Sequence, residues 1–219
     1  MELISREELL GLIQDFENFH YVAPDDFPNF SDKFPENVQE VAYKIGKSET
    51  GAILLVGEKT FLLIPPFPVE KTFEGDKNPL LEMLKRKYNL AIILLRLGEY
   101  SLGVFEGGKL AEHKTGTQFV GGKTKAGGQS AARYQRIREG QANDFFKKVC
   151  EQARSKLSTH ELDFVFFGGD AQTAKAFLKK CDWLEKFHVM KRILNIRHMK
   201  LESLKASLKE VWKFRVYEI

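Results

Sequence analysis

The chain has 219 residues, 43% of them hydrophobic and 29% charged, with a formal net charge of only +4. That is enough apolar material for one large domain or two small ones. No apolar run approaches the ~20 residues that span a bilayer, and the acidic start Met1-Glu2-Leu3-Ile4-Ser5-Arg6-Glu7-Glu8 lacks the apolar core of a signal peptide. The expectation is a soluble, cytoplasmic chain.

Ser5-Arg6-Glu7-Glu8 has capping-box spacing, and Leu9, Leu12, Ile13 and Phe16 follow at helical period. A first helix is expected over roughly 5–19. Pro24, Pro28 and Pro35 make the stretch from Tyr21 to Pro35 an irregular connection packed by aromatics. Strands are expected near Val38–Ile45, Gly51–Val56 and Thr60–Ile64, the last two forming a hairpin around Gly57-Glu58. Pro65-Pro66-Phe67-Pro68 ends the last of them, since proline donates nothing to a ladder. A second helix begins at Asn78-Pro79, with Leu80, Leu81, Leu84 and Tyr88 facing inward.

From Leu90 the pattern changes. Ala91–Leu97, Tyr100–Phe105 and Lys109–Thr115 are strand-like runs broken at Gly98-Glu99 and Gly107-Gly108, the spacing of an antiparallel meander. A long helix is expected over about 131–156, with Tyr134, Ala142, Phe145, Phe146, Val149 and Ala153 on one face and Arg133 and Arg136 opposite. A strand at Asp163–Phe167, a helix near 171–180, a strand at Arg192–Ile196 and a helix over about 200–213 complete the order. The second section, 89–219, is thus read as an α/β mixed sheet with flanking helices, in the element order of ribonuclease-H-like folds. It follows a small α+β unit over 1–88.

Between the meander and the long helix lies Gly121-Gly122-Lys123-Thr124-Lys125-Ala126-Gly127-Gly128-Gln129-Ser130. From His113 to Arg138 the chain has six Lys or Arg and no Asp or Glu, which leaves −2 for everything outside that window. Basic character gathered in one glycine-paired loop is the footprint of a nucleic-acid partner.

Other features carry less. The five histidines (20, 113, 160, 188, 198) show no metal-ligand spacing, and Cys150 and Cys181 offer neither metal spacing nor a disulfide framework, as in a reducing cytosol. Gly168-Gly169-Asp170 lacks a Walker lysine, so it is read as a strand-to-helix turn with Asp170 near the cap. The pairs Phe145-Phe146 and Phe166-Phe167, and Trp183 and Trp212, are read as core.

The loop and helix resemble the central domain of the archaeal and eukaryotic class-1 translation release factors, in which a basic loop presents Gly-Gly-Gln and runs into an arginine-bearing helix. The residues that carry the resemblance are Gly122-Lys123, Ala126-Gly127-Gly128-Gln129-Ser130-Ala131, Arg133, Arg136-Ile137-Arg138-Glu139 and Asn143-Asp144-Phe145-Phe146-Lys147-Lys148. Two departures are evident. The decoding tetrapeptide Asn-Ile-Lys-Ser is missing, and nothing corresponds to a C-terminal domain that engages a GTPase. The chain is therefore most similar to the shorter Vms-like factors, which free nascent chains from stalled ribosomes without reading a codon. Leu62–Val69 and the approach Lys114-Thr115-Gly116-Thr117 suit that branch.

The resemblance implies hydrolysis of the ester between a nascent peptide and tRNA, with Gly127, Gly128 and Gln129 as the catalytic residues of a loop over 119–130. Lys114, Lys123, Lys125, Ser130, Arg133, Arg136 and Arg138 are the implied RNA-binding residues, with Arg138 alternatively anchoring the loop to the domain body. The implied partners are the large ribosomal subunit at its peptidyl-transferase centre, peptidyl-tRNA and ribosomal RNA. No membrane, metal or cofactor is called for, and the factor is expected to act as a monomer. Two alternatives stand beside this one. A non-catalytic ribosome- or RNA-binding module would keep the loop without its chemistry. A tRNA-directed nuclease of ribonuclease-H type would need clustered carboxylates beginning on the first strand, and Ala91–Leu97 has none.

Overall fold

The computed structural model describes residues 1–122 and 128–219, with the backbone alone for 128 and 129. The chain divides into two compact units, one of Met1–Arg86 with Val211–Ile219 and one of Lys87–Glu210.

In the first unit, strand β1 (Glu2–Ile4) leads into helix α1 (Arg6–Leu12). The expected capping box is present: Glu8 N–H donates to Ser5 Oγ at 3.2 Å, and Ser5 N–H donates to the Glu8 carboxylate at 2.6 Å. The helix does not reach residue 19. A 3-10 turn at Ile13–Asp15 ends it, and Phe16 is extended. The aromatic-rich run Asn18–Val22 is strand β2 rather than the end of a helix and the start of a loop. Val38–Ile45 is likewise not a strand: it lies within helix α2 (Glu36–Ile45), which follows Pro35 and ends at Gly46, whose φ of 73° favours glycine. Val38 and Ala42, four residues apart, form its buried stripe, and this spacing outweighs the β-propensity of the valines.

Strands β3 (Ala52–Val56) and β4 (Thr60–Ile64) form the expected hairpin, with Ile53 opposite Leu63 and Val56 opposite Thr60. After β5 (Phe73–Gly75) comes helix α3 (Asn78–Lys85), which buries Leu80 and Leu84. Tyr88 lies beyond that helix and packs edge-on to Phe164, with ring centroids 5.7 Å apart. The last strand, β11 (Phe214–Glu218), pairs with β4 on one side and β1 on the other. The expected boundary, with everything from 89 to 219 in the second section, is corrected accordingly: the final nine residues belong to the first unit, held there by that ladder. The order of this antiparallel sheet is β1-β11-β4-β3-β2-β5. Both its faces are covered, so Ala52-Ile53-Leu54-Leu55 is buried throughout. Ile53 and Leu55 pack with Leu9, Leu80 and Leu84, while Ala52 and Leu54 pack with Val38 and Ala42.

In the second unit, β6 (Asn89–Arg96), β7 (Glu99–Glu106) and β8 (Lys109–Thr117) form the expected meander. Helix α4 (Gly128–Leu157), β9 (Phe164–Gly169), α5 (Ala171–Leu178), β10 (Val189–Leu194) and α6 (Leu201–Val211) follow. The sheet order is β10-β9-β6-β7-β8, with β6, β9 and β10 parallel. Counted within the unit this is 5-4-1-2-3 with the second strand antiparallel, the mixed sheet of a ribonuclease-H-like fold. Ile93, Leu95, Leu102 and Val104 pack with Phe145, Val149 and Ala153 of α4 and Phe177 of α5. On the opposite face, Leu204 of α6 lies 2.8 Å from where a Cβ on Gly103 would be.

Cys150 of α4 and Cys181, just past α5, are disulfide-bonded, with Cα atoms 5.6 Å apart. This corrects the expectation of two unpaired thiols. Their separation of 31 residues carries no signal in the sequence, and only the packing of α4 beside α5 brings them together. The inference of a reducing compartment from the cysteines therefore loses its basis. No helix among the described residues is long and apolar enough to cross a membrane.

Candidate nucleic-acid interface

The chain approaches its basic loop along β8, an edge strand with most side chains exposed, Lys114 among them. Its last turn is shaped by Gly116. A Cβ there would lie 2.6 Å from the Tyr100 ring, which is itself buried at 1% exposure. Glycine is thus what lets this edge close over Tyr100, and burial raises the pKa of the phenol.

The stem that follows is tied down residue by residue. Lys148 Nζ donates to the Thr117 carbonyl at 3.2 Å, and Gln118 N–H donates to the Gly98 carbonyl at 2.8 Å. Val120 packs against the core. Gly121 is held at both its polar atoms by α4: its N–H donates to Gln141 Oε1 at 2.9 Å, and its carbonyl accepts from Arg138 Nε at 2.9 Å. Arg138 thus ties the stem to the helix, as in the alternative reading of this residue. These bonds fix the chain one residue before the exposed Gly122, after which residues 123–127 intervene.

Lys123, Lys125 and Gly127 lie outside the described residues. Gly128 and Gln129 open helix α4, so their backbone N–H groups belong to the first turn, which has no intrahelical acceptors. The same turn is the positive end of the helix dipole. Ser130, Arg133 and Arg136 are exposed, and Arg136 Nε donates back to the Ala132 carbonyl at 3.4 Å.

Helix α4 has two regimes. From Phe145 onward its apolar face is part of the core, whereas no residue between 130 and 144 is buried. Tyr134 was expected on the apolar face but is 57% exposed, and Ile137 is 47% exposed. Tyr134 shares the wheel position of that face, but it lies in the stretch before Phe145, where no described side chain is buried. At 1.5 Å per residue, the run from Ser130 to Asp144, which has no buried residue, is roughly 22 Å long. Phe119, on the stem, is 79% exposed. The result is an arm of helix and stem, latched at Gly121, bearing cations and exposed aromatic surface.

Sequence reasoning missed Gln141, Phe119 and the specific task of Lys148. Gln141 sits twenty residues from its partner Gly121, and a glutamine on an exposed helix has no local mark of that contact.

Residues 88–217 match the family model described as the Actinobacteria/Chloroflexi VLRF1 release factor. Peptide chain release factor subunit 1 of Thermococcus sibiricus is 34% identical over 171 residues, covering 68% of this chain and 40% of that protein. The protein of the same name from Methanopyrus kandleri is 34% identical over 153 residues, covering 63% of this chain and 37% of that one. The chain thus spans about two fifths of the length of these relatives. Among solved structures, the archaeal translation termination factor aRF1 superposes with a TM-score of 0.47 at 20% identity, over 95% of this chain and 70% of that one. Archaeoglobus fulgidus Pelota gives 0.30 at 11% identity, over 92% and 58%. The assignment rests on the sequence match, which takes in more than half of the residues: the chain belongs to the VLRF1 release-factor family.

Proposed function

We propose that this protein is a codon-independent peptidyl-tRNA hydrolase that releases nascent chains from stalled ribosomes or large subunits in the cytoplasm. The observation that carries the reading is the sequence Gly127-Gly128-Gln129 running into α4, a helix in which no residue from Ser130 to Asp144 is buried. A surface left uncovered over that length, and cationic along it, suits a narrow RNA-lined site such as the peptidyl-transferase centre. Codon independence follows the resemblance to the shorter Vms-like factors, supported by Leu62–Val69 and by the approach Lys114-Thr115-Gly116-Thr117.

In the proposed reaction a water oxygen bonds to the ester carbonyl carbon, and the bond from that carbon to the terminal ribose oxygen breaks. The ribose oxygen takes a proton and leaves as the tRNA hydroxyl, while the peptide leaves as its acid. Negative charge builds on the carbonyl oxygen and then on the leaving oxygen, so preorganised N–H donors are the main source of acceleration. Glycines at 127 and 128 allow close approach of main chain to RNA, and the N–H groups of the helix's first turn, which have no intrahelical acceptors, are donors of the required kind. The Gln129 amide does not titrate in the useful range, so it positions water rather than abstracting its proton. Lys114, Lys123, Lys125, Ser130, Arg133 and Arg136 neutralise or hydrogen-bond RNA phosphates around the loop, and Arg138 does so while holding the stem. The factor needs no cofactor or metal and acts as a monomer.

The test is release of labelled peptide from purified stalled complexes with a sense codon in the A site. Release by the wild-type chain is expected. Release only when a stop codon is supplied would overturn codon independence. Tight binding without release would favour the non-catalytic module.

A further inference from the structure

We propose that a crevice at the carboxyl edge of the second unit's parallel strands is a separate binding site for RNA phosphates, built on Arg96, Arg138 and Arg197. The crevice has a volume of about 600 Å³. Arg96 ends β6, Gly169 ends β9, and Asn195, Ile196 and Arg197 follow β10, so three parallel strands deliver the chain to it. Open α/β sheets take ligands at this edge.

The turn that shapes the floor needs its glycine. Gly169 has φ of 94°, and a Cβ there would lie 2.3 Å from the Leu95 carbonyl oxygen. Asp170 N–H then donates to that same carbonyl at 2.8 Å. As expected from the sequence, Asp170 caps α5, its carboxylate accepting from Thr173 N–H at 2.8 Å and from Thr173 Oγ1 at 2.5 Å. The helix end is therefore already satisfied by its own residue, and the attraction for an anion comes from the arginines.

Among the described lining residues Asp170 is the one carboxylate, against three guanidinium groups. Among the described residues no carboxylate lies within ion-pair distance of Arg96, Arg138 or Arg197. The lining thus carries a charge of +2, with Gln172, Thr173 and Asn195 adding neutral polar groups. Three guanidinium forks contributed by three different segments suit successive phosphates of one strand. A compact mononucleotide site would instead wrap a glycine-rich loop and a lysine around its phosphates, and neither is present here. Arg138 also joins this crevice to the arm, since it lines the former and holds Gly121 of the latter. RNA seated at the sheet edge would thereby bear on the latch of the loop.

The choice of RNA as the source of the phosphates rests on the proposed function, but the test does not read peptide release. It measures binding of a short single-stranded RNA of mixed sequence across a salt series, for the wild-type chain and for Arg96→Gln/Arg197→Gln. Both changes are at exposed positions, and a thermal melt checks that the fold is kept. Loss of two phosphate contacts should weaken binding about tenfold or more and lower the slope of log K against log salt by about 1.4. Unchanged affinity and slope would overturn the proposal. A parallel titration with inorganic phosphate, followed through the arginine side-chain NMR signals, separates the sources. Saturable phosphate binding that RNA does not displace would assign the crevice to a small phosphate ligand and overturn the RNA assignment. Loss of release with RNA binding intact would count against the proposed function alone.

Discussion

Replacing Gln141 by leucine tests the latch without touching any charge. The substitution keeps the size of the side chain and removes the acceptor of the Gly121 N–H, 2.9 Å away. A neutral hydrogen bond contributes about 1 kcal/mol net, and an N–H left without a partner costs about 1–3 kcal/mol when buried. Gly121 is half-buried, so water meets part of that need, and a cost of about 1–1.5 kcal/mol is reasonable. At about 1.4 kcal/mol per decade, the anchored stem becomes about five- to tenfold less populated relative to its released forms. If the stem positions the loop and its anchored and released forms are close in free energy, the single-turnover rate of peptide release at saturating factor falls by up to that factor. Affinity for the ribosomal complex and its salt dependence stay unchanged, because no cation is lost. An unchanged maximal rate in a folded variant would refute the positioning role, as would a defect confined to affinity. The companion Arg138→Met removes a charge-assisted bond to the same glycine. Combined with Gln141→Leu, it should give less than the product of the two single effects, since both changes release one residue.

Gly116→Ala would place a methyl group against the buried Tyr100 ring, and overpacking of this kind costs about 1–3 kcal/mol; denaturant unfolding of the second unit should show it, and an unchanged midpoint would contradict the close packing. Opening the Cys150–Cys181 bridge by reduction or by a double alanine change should destabilise that unit by about 2–4 kcal/mol, as closed loops of this size do, and equal unfolding curves with and without reductant would count against the pairing. Asp170→Ala should cost about 1 kcal/mol as a lost helix cap, while Asp170→Asn keeps the cap and should be nearly neutral. The hydrogen bonds from Thr173 hold the Asp170 carboxyl below its usual range. Its contribution is therefore present above the unfolded value and lost as pH falls through the lower folded one, so the alanine variant should differ most from wild type above about pH 4 and converge with it in stronger acid.

The residues that carry the proposed chemistry were legible because they are contiguous. Gly121 to Arg138 holds the loop, the cations and the helix start in one run. The meander and the alternating strands and helices after it were also legible, each having several residues of clear period. What escaped depended on distance or brevity. Strands β1 and β5 have three residues each, too few for a period to register, and they exist by pairing with β11 and β2. Helix α2 was hidden by β-branched residues that also satisfy a four-residue repeat. Strand β11 returns to a sheet more than 140 residues earlier in the chain, where Arg215 faces Ile64. The Gln141–Gly121 bond and the Cys150–Cys181 bridge likewise join residues that no local pattern connects.

The central claim is tested most directly by single-turnover peptide release from stalled complexes lacking a stop codon, comparing wild type with Gly128→Ala and Gln129→Ala. Gly128 lies in the first turn of α4, and alanine is favoured over glycine in helices by about 1 kcal/mol, so a loss of activity there is not a loss of fold. Close approach of the main chain to RNA, which a Cβ at 128 would obstruct, predicts that Gly128→Ala abolishes release and Gln129→Ala impairs it less. Release by both variants at the wild-type rate would mean that this loop does not perform the hydrolysis.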